Sequence, residues 1–242
     1  MNPGAVRQAA QAMGITLTSE QAAQFAHYAA LLNEWNMRFN LTRITTDADV
    51  LALHFLDSLT ALPVVQALVE AAQPARLLDV GSGAGLPGIP LKIALPTLDV
   101  TLLDSTAKKL LFCQAVIDAL QLHGIRTLHA RAEAIAHVPE HREQYHVVIA
   151  RAVAPLPTLV EYLLPLARVG GACVAMKGSH VADELQAALG AIALMGGAPP
   201  EVQPASLPGR PERRALVIIR KERPTPARFP RRSASLRRKP LQ

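Results

Sequence analysis

A chain of 242 residues, half of them hydrophobic, is long enough for one ordinary domain with an appendage. Its two cysteines show no C-x-x-C spacing and its eight histidines form no H-E-x-x-H; this argues against a disulfide framework or zinc motif and fits buried free thiols in a reducing cytoplasm. The net charge of +6 sits at one end: residues 206–242 hold 12 Lys/Arg and 2 acids, the remainder 13 and 17, which is the footprint of a phosphate-rich partner or of a solvated tail.

In chain order, residues 1–72 read as helical. The opening MNPGAVRQAAQAMG has no basic stretch followed by an apolar one, so no secretory signal is expected. Thr18-Ser19-Glu20-Gln21 spells a capping box ahead of Ala22, Phe25, Ala29 and Leu32 at helical spacing. A second helix is predicted over 47–59, where His54 and Asp57 face one another across a turn and anchor the helical region. From residue 76 short strands alternate with helices. Strands are predicted at 76–80, 99–103, 124–128, 146–150, 171–176 and 214–220, and helices at 87–94, 106–120, 156–167 and 181–195. Such alternation implies an α/β fold, a mostly parallel sheet with helices on both faces and the strand-end loops along one edge. Three regions result: a helical region 1–72, a central domain 73–221 and a basic, extended tail 222–242 rich in Pro, Arg and Ser. The apolar region 147–176 is interrupted by Arg151, Glu161, Arg168 and prolines, so no membrane span is expected there.

The stretch "LLDVGSGAGLPGIP" (77–90) carries the chemistry. Gly81, Gly83 and Gly85 let the backbone turn sharply and approach a ligand. Gly88-Ile89 stands where a P-loop needs Lys-Ser/Thr, which excludes that motif. A dinucleotide and S-adenosylmethionine (SAM) remain. Asp79, two residues before the first glycine, is awkward beside a diphosphate and suits the ammonium and sulfonium of SAM. Asp104, at the end of the second strand, suits ribose hydroxyls of either cofactor.

These residues resemble the RsmG (GidB) family of bacterial small-subunit rRNA guanine-N7 methyltransferases. The likeness extends over nearly the whole chain, through "LLNEWNMRFNLT" (31–42), "HFLDSL" (54–59), "LLDVGSGAGLPGIPLKI" (77–93), "TLLDSTAKK" (101–109), "RAEAI" (131–135), "VVIARAVAPL" (147–156), "AMKG" (175–178) and the proline-basic ending. The resemblance implies a Rossmann-like class I SAM-dependent methyltransferase sheet, SAM as cofactor, and 16S rRNA or the small ribosomal subunit as partner. It further implies a cytoplasmic setting without membrane attachment; the expected working unit is a monomer. By the same resemblance Gly81 and Leu86 line the SAM site, Asp104, Ser105 and Thr106 hold the ribose side, Ala132 and Glu133 lie against adenine, and Arg151 closes the pocket near the reacting end. Arg151 is expected to bind the SAM carboxylate or an RNA phosphate; Lys177, ending the fifth strand, is expected at a phosphate, and Lys108, Lys109 and the tail at the RNA.

Ala150-Arg151-Ala152-Val153 stands where amine methylases carry an Asn/Asp-Pro-Pro-aromatic run, and neither Cys113 nor Cys173 is placed as a nucleophile. Both features fit guanine N7, whose in-plane lone pair carries no proton, so no general base is expected. The competing readings are a small-molecule SAM methyltransferase, a nicotinamide-linked oxidoreductase and a non-catalytic rRNA-binding assembly factor.

Overall fold

The computed structural model describes residues 1–72, 74–178, 181–211, 213–231 and 241. Two N-terminal helices, α1 (Pro3–Gln11) and α2 (Ser19–Phe39), precede a bent helical stretch made of α3 (Asp47–Asp49), a π-helical segment (Val50–Leu56), α4 (Asp57–Leu59) and α5 (Leu62–Val69). The capping box at α2 forms as the sequence predicts: Gln21 N–H donates to Thr18 Oγ1 at 3.1 Å, and Gln21 Oε1 accepts from Thr18 N–H at 2.8 Å. Residues 47–69 are apolar and long enough to cross a membrane by composition alone, but 72% of the most apolar 18 residues among them is buried against the rest of the molecule.

The sheet follows as β1 (Arg76–Val80), β2 (Asp99–Asp104), β3 (Ile125–His129), β4 (Tyr145–Arg151), β5 (Ala167–Gly178), β6 (Glu201–Ser206) and β7 (Arg213–Arg220). Their order is β3-β2-β1-β4-β5-β7-β6. The first five strands run parallel; β7 is antiparallel to β5 and β6 antiparallel to β7. Between strands lie α6 (Gly88–Ala94), α7 (Ala107–Ala119), α8 (Ala132–Ile135), α9 (Leu156–Leu163) and α10 (Ala182–Leu194). This is the Rossmann-like arrangement expected of class I methyltransferases.

Strand alternation divides the core. Leu77, Val147 and Ile149 face one cluster with α2, the π-helical segment and α7, while Leu78, Val80, Val148 and Ala150 face another with α9 and α10. The N-terminal helices thus share a core with one face of the sheet.

Three expectations are corrected. Sequence reasoning misses β6, an edge strand: Pro204 within it and Pro199, Pro200 and Pro208 around it give the segment the look of a loop, and an edge is where a strand tolerates proline. The helix expected over 156–167 stops at Leu163, just before Pro165, and β5 begins at Ala167 instead of Gly171. Residues 222–231 are anchored to the fold at Thr225, Phe229 and Arg231 rather than free of it. Phe229 is buried in the second core, and Arg142 donates to the carbonyls of Ala136, Thr225 and Phe229 at 2.7–2.8 Å. Arg231 pairs at 2.8 Å with Glu161, which is 0% exposed. Buried Lys221 donates to Leu164 O, Met195 O and the Thr225 hydroxyl. The rest of the expected tail, residues 232–240 and 242, lies outside the described residues.

Candidate SAM and RNA site

The glycine turn leaves β1 at the carboxyl edge of the sheet. Gly81 has φ +72°, and a Cβ there would come 2.7 Å from Val153 Cγ2. The turn is braced by its own amides. Gly81 and Ser82 N–H donate to Leu103 O, Gly85 and Leu86 N–H to Ser82 O, and Ile89 N–H to Gly85 O. Gly83 N–H donates to Asp104 Oδ2 at 2.9 Å, and Gly88 N–H to Asp79 Oδ2 at 2.9 Å. From beneath, the Tyr28 hydroxyl of α2 donates to Ala84 O.

Two cavities open on either side of this turn. The smaller, about 280 Å³, is lined by Gly81, Asp104, Ser105, Thr106, Ala132 and Glu133, together with Lys109, Val153 and Tyr162. The larger, about 480 Å³, takes Gly81, Gly83 and Leu86 from the turn, Thr42, His54 and Asp57 from the N-terminal region, and Arg151, Lys177 and Arg214 from strand ends. Of the described residues, Gly81 and Ala152 line both. The structure therefore gathers most of the sequence-predicted residues around one continuous edge, although they span residues 81 to 177.

Four placements differ from expectation. Asp79 is 0% exposed and lines neither cavity. Strand alternation turns it inward, where it braces the turn through Gly88, so it has no surface to offer an ammonium. Desolvation raises its pKa to about 7. Gly85 also lies outside both cavities; a Cβ there would strike Ile89, so its glycine serves packing. Lys177 lines the larger cavity but spends two of its three N–H donors within the protein, on Glu184 at 2.6 Å and Ala154 O at 2.8 Å, so it is held in place rather than free to follow a phosphate. His54 and Asp57 do not pair with each other. His54 Nε2 lies 2.9 Å from Thr42 Oγ1 and Nδ1 3.2 Å from Leu53 O.

Asp57 instead holds two arginines. Its Oδ2 accepts from Arg151 at 2.8 Å and its Oδ1 from Arg214 Nε at 2.7 Å; Arg151 also donates to Leu53 O. This bridge ties β4 and β7 to the π-helical segment and α4, and leaves one excess positive charge on the wall of the larger cavity. Sequence reasoning misses Arg214, which is 157 residues from Asp57 and carries no local motif. Burial, helped by the Arg151 charge, lowers the His54 pKa to about 4, so its ring is neutral beside that bridge.

At Asp104 both oxygens are partly engaged: Oδ2 with Gly83 N–H and Oδ1 with Thr106 N–H at 2.8 Å. A carboxylate has about four acceptor positions, so each oxygen keeps capacity for a ligand hydroxyl. Glu133 lies 4.0 Å from Arg131 at the cavity rim.

Comparison with known proteins bears on this geometry. Residues 21–211 match the GidB family, described as rRNA small subunit methyltransferase G. The chain is 50% identical over 222 residues to the ribosomal RNA small subunit methyltransferase G of Roseiflexus castenholzii, covering 92% of each chain. It is 45% identical over 235 residues to the protein of the same name from Halalkalibacterium halodurans, covering 97% of each. A crystal structure described as a predicted O-methyltransferase from Agrobacterium tumefaciens matches with a TM-score of 0.54 at 23% identity, over 70% of this chain and 82% of that one, a likeness of fold. Since the matched sequence runs from α2 through β1 to β6, including the glycine turn, Asp104 and Arg151, the chain belongs to the rRNA small subunit methyltransferase G family.

Proposed function

We propose that the chain is a SAM-dependent methyltransferase that modifies N7 of a guanine in 16S rRNA, with the adenosine half of SAM in the smaller cavity and its amino-acid half beside the target base in the larger. The observation that carries this reading is the junction: the two cavities meet at Gly81 and Ala152, with Asp104 on one side and the Arg151–Asp57–Arg214 bridge on the other.

The donors and acceptors fit SAM better than a dinucleotide. A diphosphate needs free backbone N–H groups at the turn. Here those of Gly81, Ser82, Gly83, Gly85, Leu86 and Gly88 are all taken by protein acceptors. Asp104 keeps lone pairs for ribose hydroxyls, and Ser105, Thr106, Ala132 and Glu133 complete the wall on the nucleoside side. When bound, SAM supplies an electrophilic methyl group.

The protein's contribution is then orientation. Guanine N7 presents a lone pair without a proton, so alignment rather than base catalysis limits the reaction. N7 lies in the deep, narrow groove of A-form RNA, so the target guanine is unpaired or turned out of its helix. Arg151 and Arg214, each holding Asp57 through one nitrogen, retain guanidinium N–H groups for a nucleotide phosphate or the SAM carboxylate. Calorimetric titration with SAM and with NAD tests the cofactor assignment. SAM should bind and NAD should not, and Asp104→Ala should weaken SAM by about 1–3 kcal/mol. Unchanged SAM affinity in that variant would move the nucleoside elsewhere.

A further inference from the structure

The connection from β4 to α9, residues 152–155, occupies the junction of the two cavities. Ala152 lines both of them and sits in the left-handed region at φ +55°, where a residue with a Cβ is strained. Val153 lies against Gly81, lines the smaller cavity and is 38% exposed. A strained backbone stays in place only where its surroundings hold it. What holds it is on the far side of the loop. Lys177 Nζ donates to Ala154 O at 2.8 Å and to Glu184 Oε2 at 2.6 Å; the same Glu184 oxygen accepts from Leu156 N–H at 2.6 Å. One carboxylate on α10 therefore holds the C-terminal half of the loop, directly at Leu156 and through Lys177 at Ala154, the residue next to Val153. Partial burial works against its charge, but the bonds from Lys177 and Leu156 outweigh it and its pKa is lowered. Glu184 itself lines neither cavity.

We propose that Glu184 is a positioning residue for methyl transfer: acting with Lys177, it fixes residues 152–155 so that Ala152 and Val153 shape the point where cofactor and target base meet. This rests on the assignment of the two cavities made above. The plain alternative is that Glu184, an acid in the first turn of α10, only stabilises that helix.

Steady-state methyl transfer to unmodified small subunits, SAM calorimetry and thermal unfolding of Glu184→Ala and Glu184→Gln separate these possibilities. The expected result for Glu184→Ala is a kcat lowered roughly ten- to a hundredfold per folded molecule with SAM affinity largely kept, the cost of a displaced reacting geometry. Glu184→Gln, which keeps an acceptor for Leu156 N–H but not the charge on Lys177, should fall between. Glu184→Ala combined with Lys177→Met should be no worse than the poorer single variant, because both act through one loop. Should Glu184→Ala not fold, Glu184→Gln decides. Wild-type kcat and KM in the folded variants, an activity loss that only follows the folded fraction, or a loss confined to SAM affinity would each overturn the proposal. A wild-type protein that methylates nothing overturns the functional reading instead; an active wild type with unaffected variants overturns this inference alone.

Discussion

His54 and Asp79 are both buried near the glycine turn, and burial moves them in opposite directions. Desolvation lowers His54 to about 4 and raises Asp79 to about 7. In an unfolded chain they titrate near about 6.5 and about 3.9. Between about pH 4 and 6.5 the unfolded chain binds more protons at His54, so that residue makes stability rise with pH. From about pH 4 to 7 the folded chain binds more protons at Asp79, so that residue makes stability fall with pH. In the wild type the two slopes oppose each other. Relative to it, Asp79→Asn should gain stability more steeply as pH rises from about 4.5 to 6.5, and His54→Asn should gain less or lose, as read by urea unfolding. Parallel profiles for all three proteins would contradict the burial of both groups. At Asp57, replacement by Ala strands two arginines on the cavity wall; a loss of about 3 kcal/mol is expected in the same assay, and less for Asn. An unchanged unfolding midpoint would remove the bridge from the account. These residues also show what local sequence conveys. Asp104 is legible as a cavity-lining residue because it closes a strand whose end faces the glycine turn. Asp79 misleads because one step along a strand decides whether a side chain meets ligand or core, and the glycine spacing does not reveal which.

Among elements, α2 announces its start with a written cap, while α6, α7 and α10 carry no such cap and are read to within a residue from their place between strands. Thr18→Ala should cost about 1 kcal/mol as a lost cap. It should cost more than a free helix would suggest, because Gln21, the other half of the box, also donates to Ile93 O at 2.8 Å and so ties α2 to the end of α6. A stability equal to wild type in urea would show that the cap is idle. The stretch 47–59 is recognisable as helical, but its π-helical centre is not, because a helical apolar spacing looks alike in either winding over a few residues. That centre matters for the site: it carries His54 and presents Leu53 O to Arg151. Strands β1 to β4 are readable from apolar runs alternating with helices. β6 is hidden by its prolines, and the loop 152–155 announces nothing, since its role comes from Lys177 and Glu184 far along the chain.

For the molecule as a whole, composition suggests a free basic tail from Glu222, whereas the first ten residues of that segment are part of the fold. Proline and arginine content describes a segment's own inability to form helix or sheet; it does not register partners such as Glu161 and Arg142 on other elements. Two truncations should therefore behave differently. Ending the chain at Lys221 removes Phe229 and leaves buried Glu161 without Arg231, which should cost about 3–5 kcal/mol and lower SAM binding together with RNA binding. Ending it at Arg231 keeps those interactions but removes Arg232, Arg237, Arg238 and Lys239. SAM affinity should then hold, while RNA affinity falls and its salt dependence weakens by roughly 0.7 in log-log slope for each phosphate that is no longer neutralised. Equal losses for both ligands in the shorter truncation would make the distal residues structural. The most direct measurement of the central claim is incubation of the protein with radiolabelled SAM and unmodified small ribosomal subunits, followed by mapping of the labelled nucleotide. The account predicts label on N7 of a guanine in 16S rRNA, abolished or sharply reduced by Asp104→Ala; label on another atom or base, or none, would contradict it.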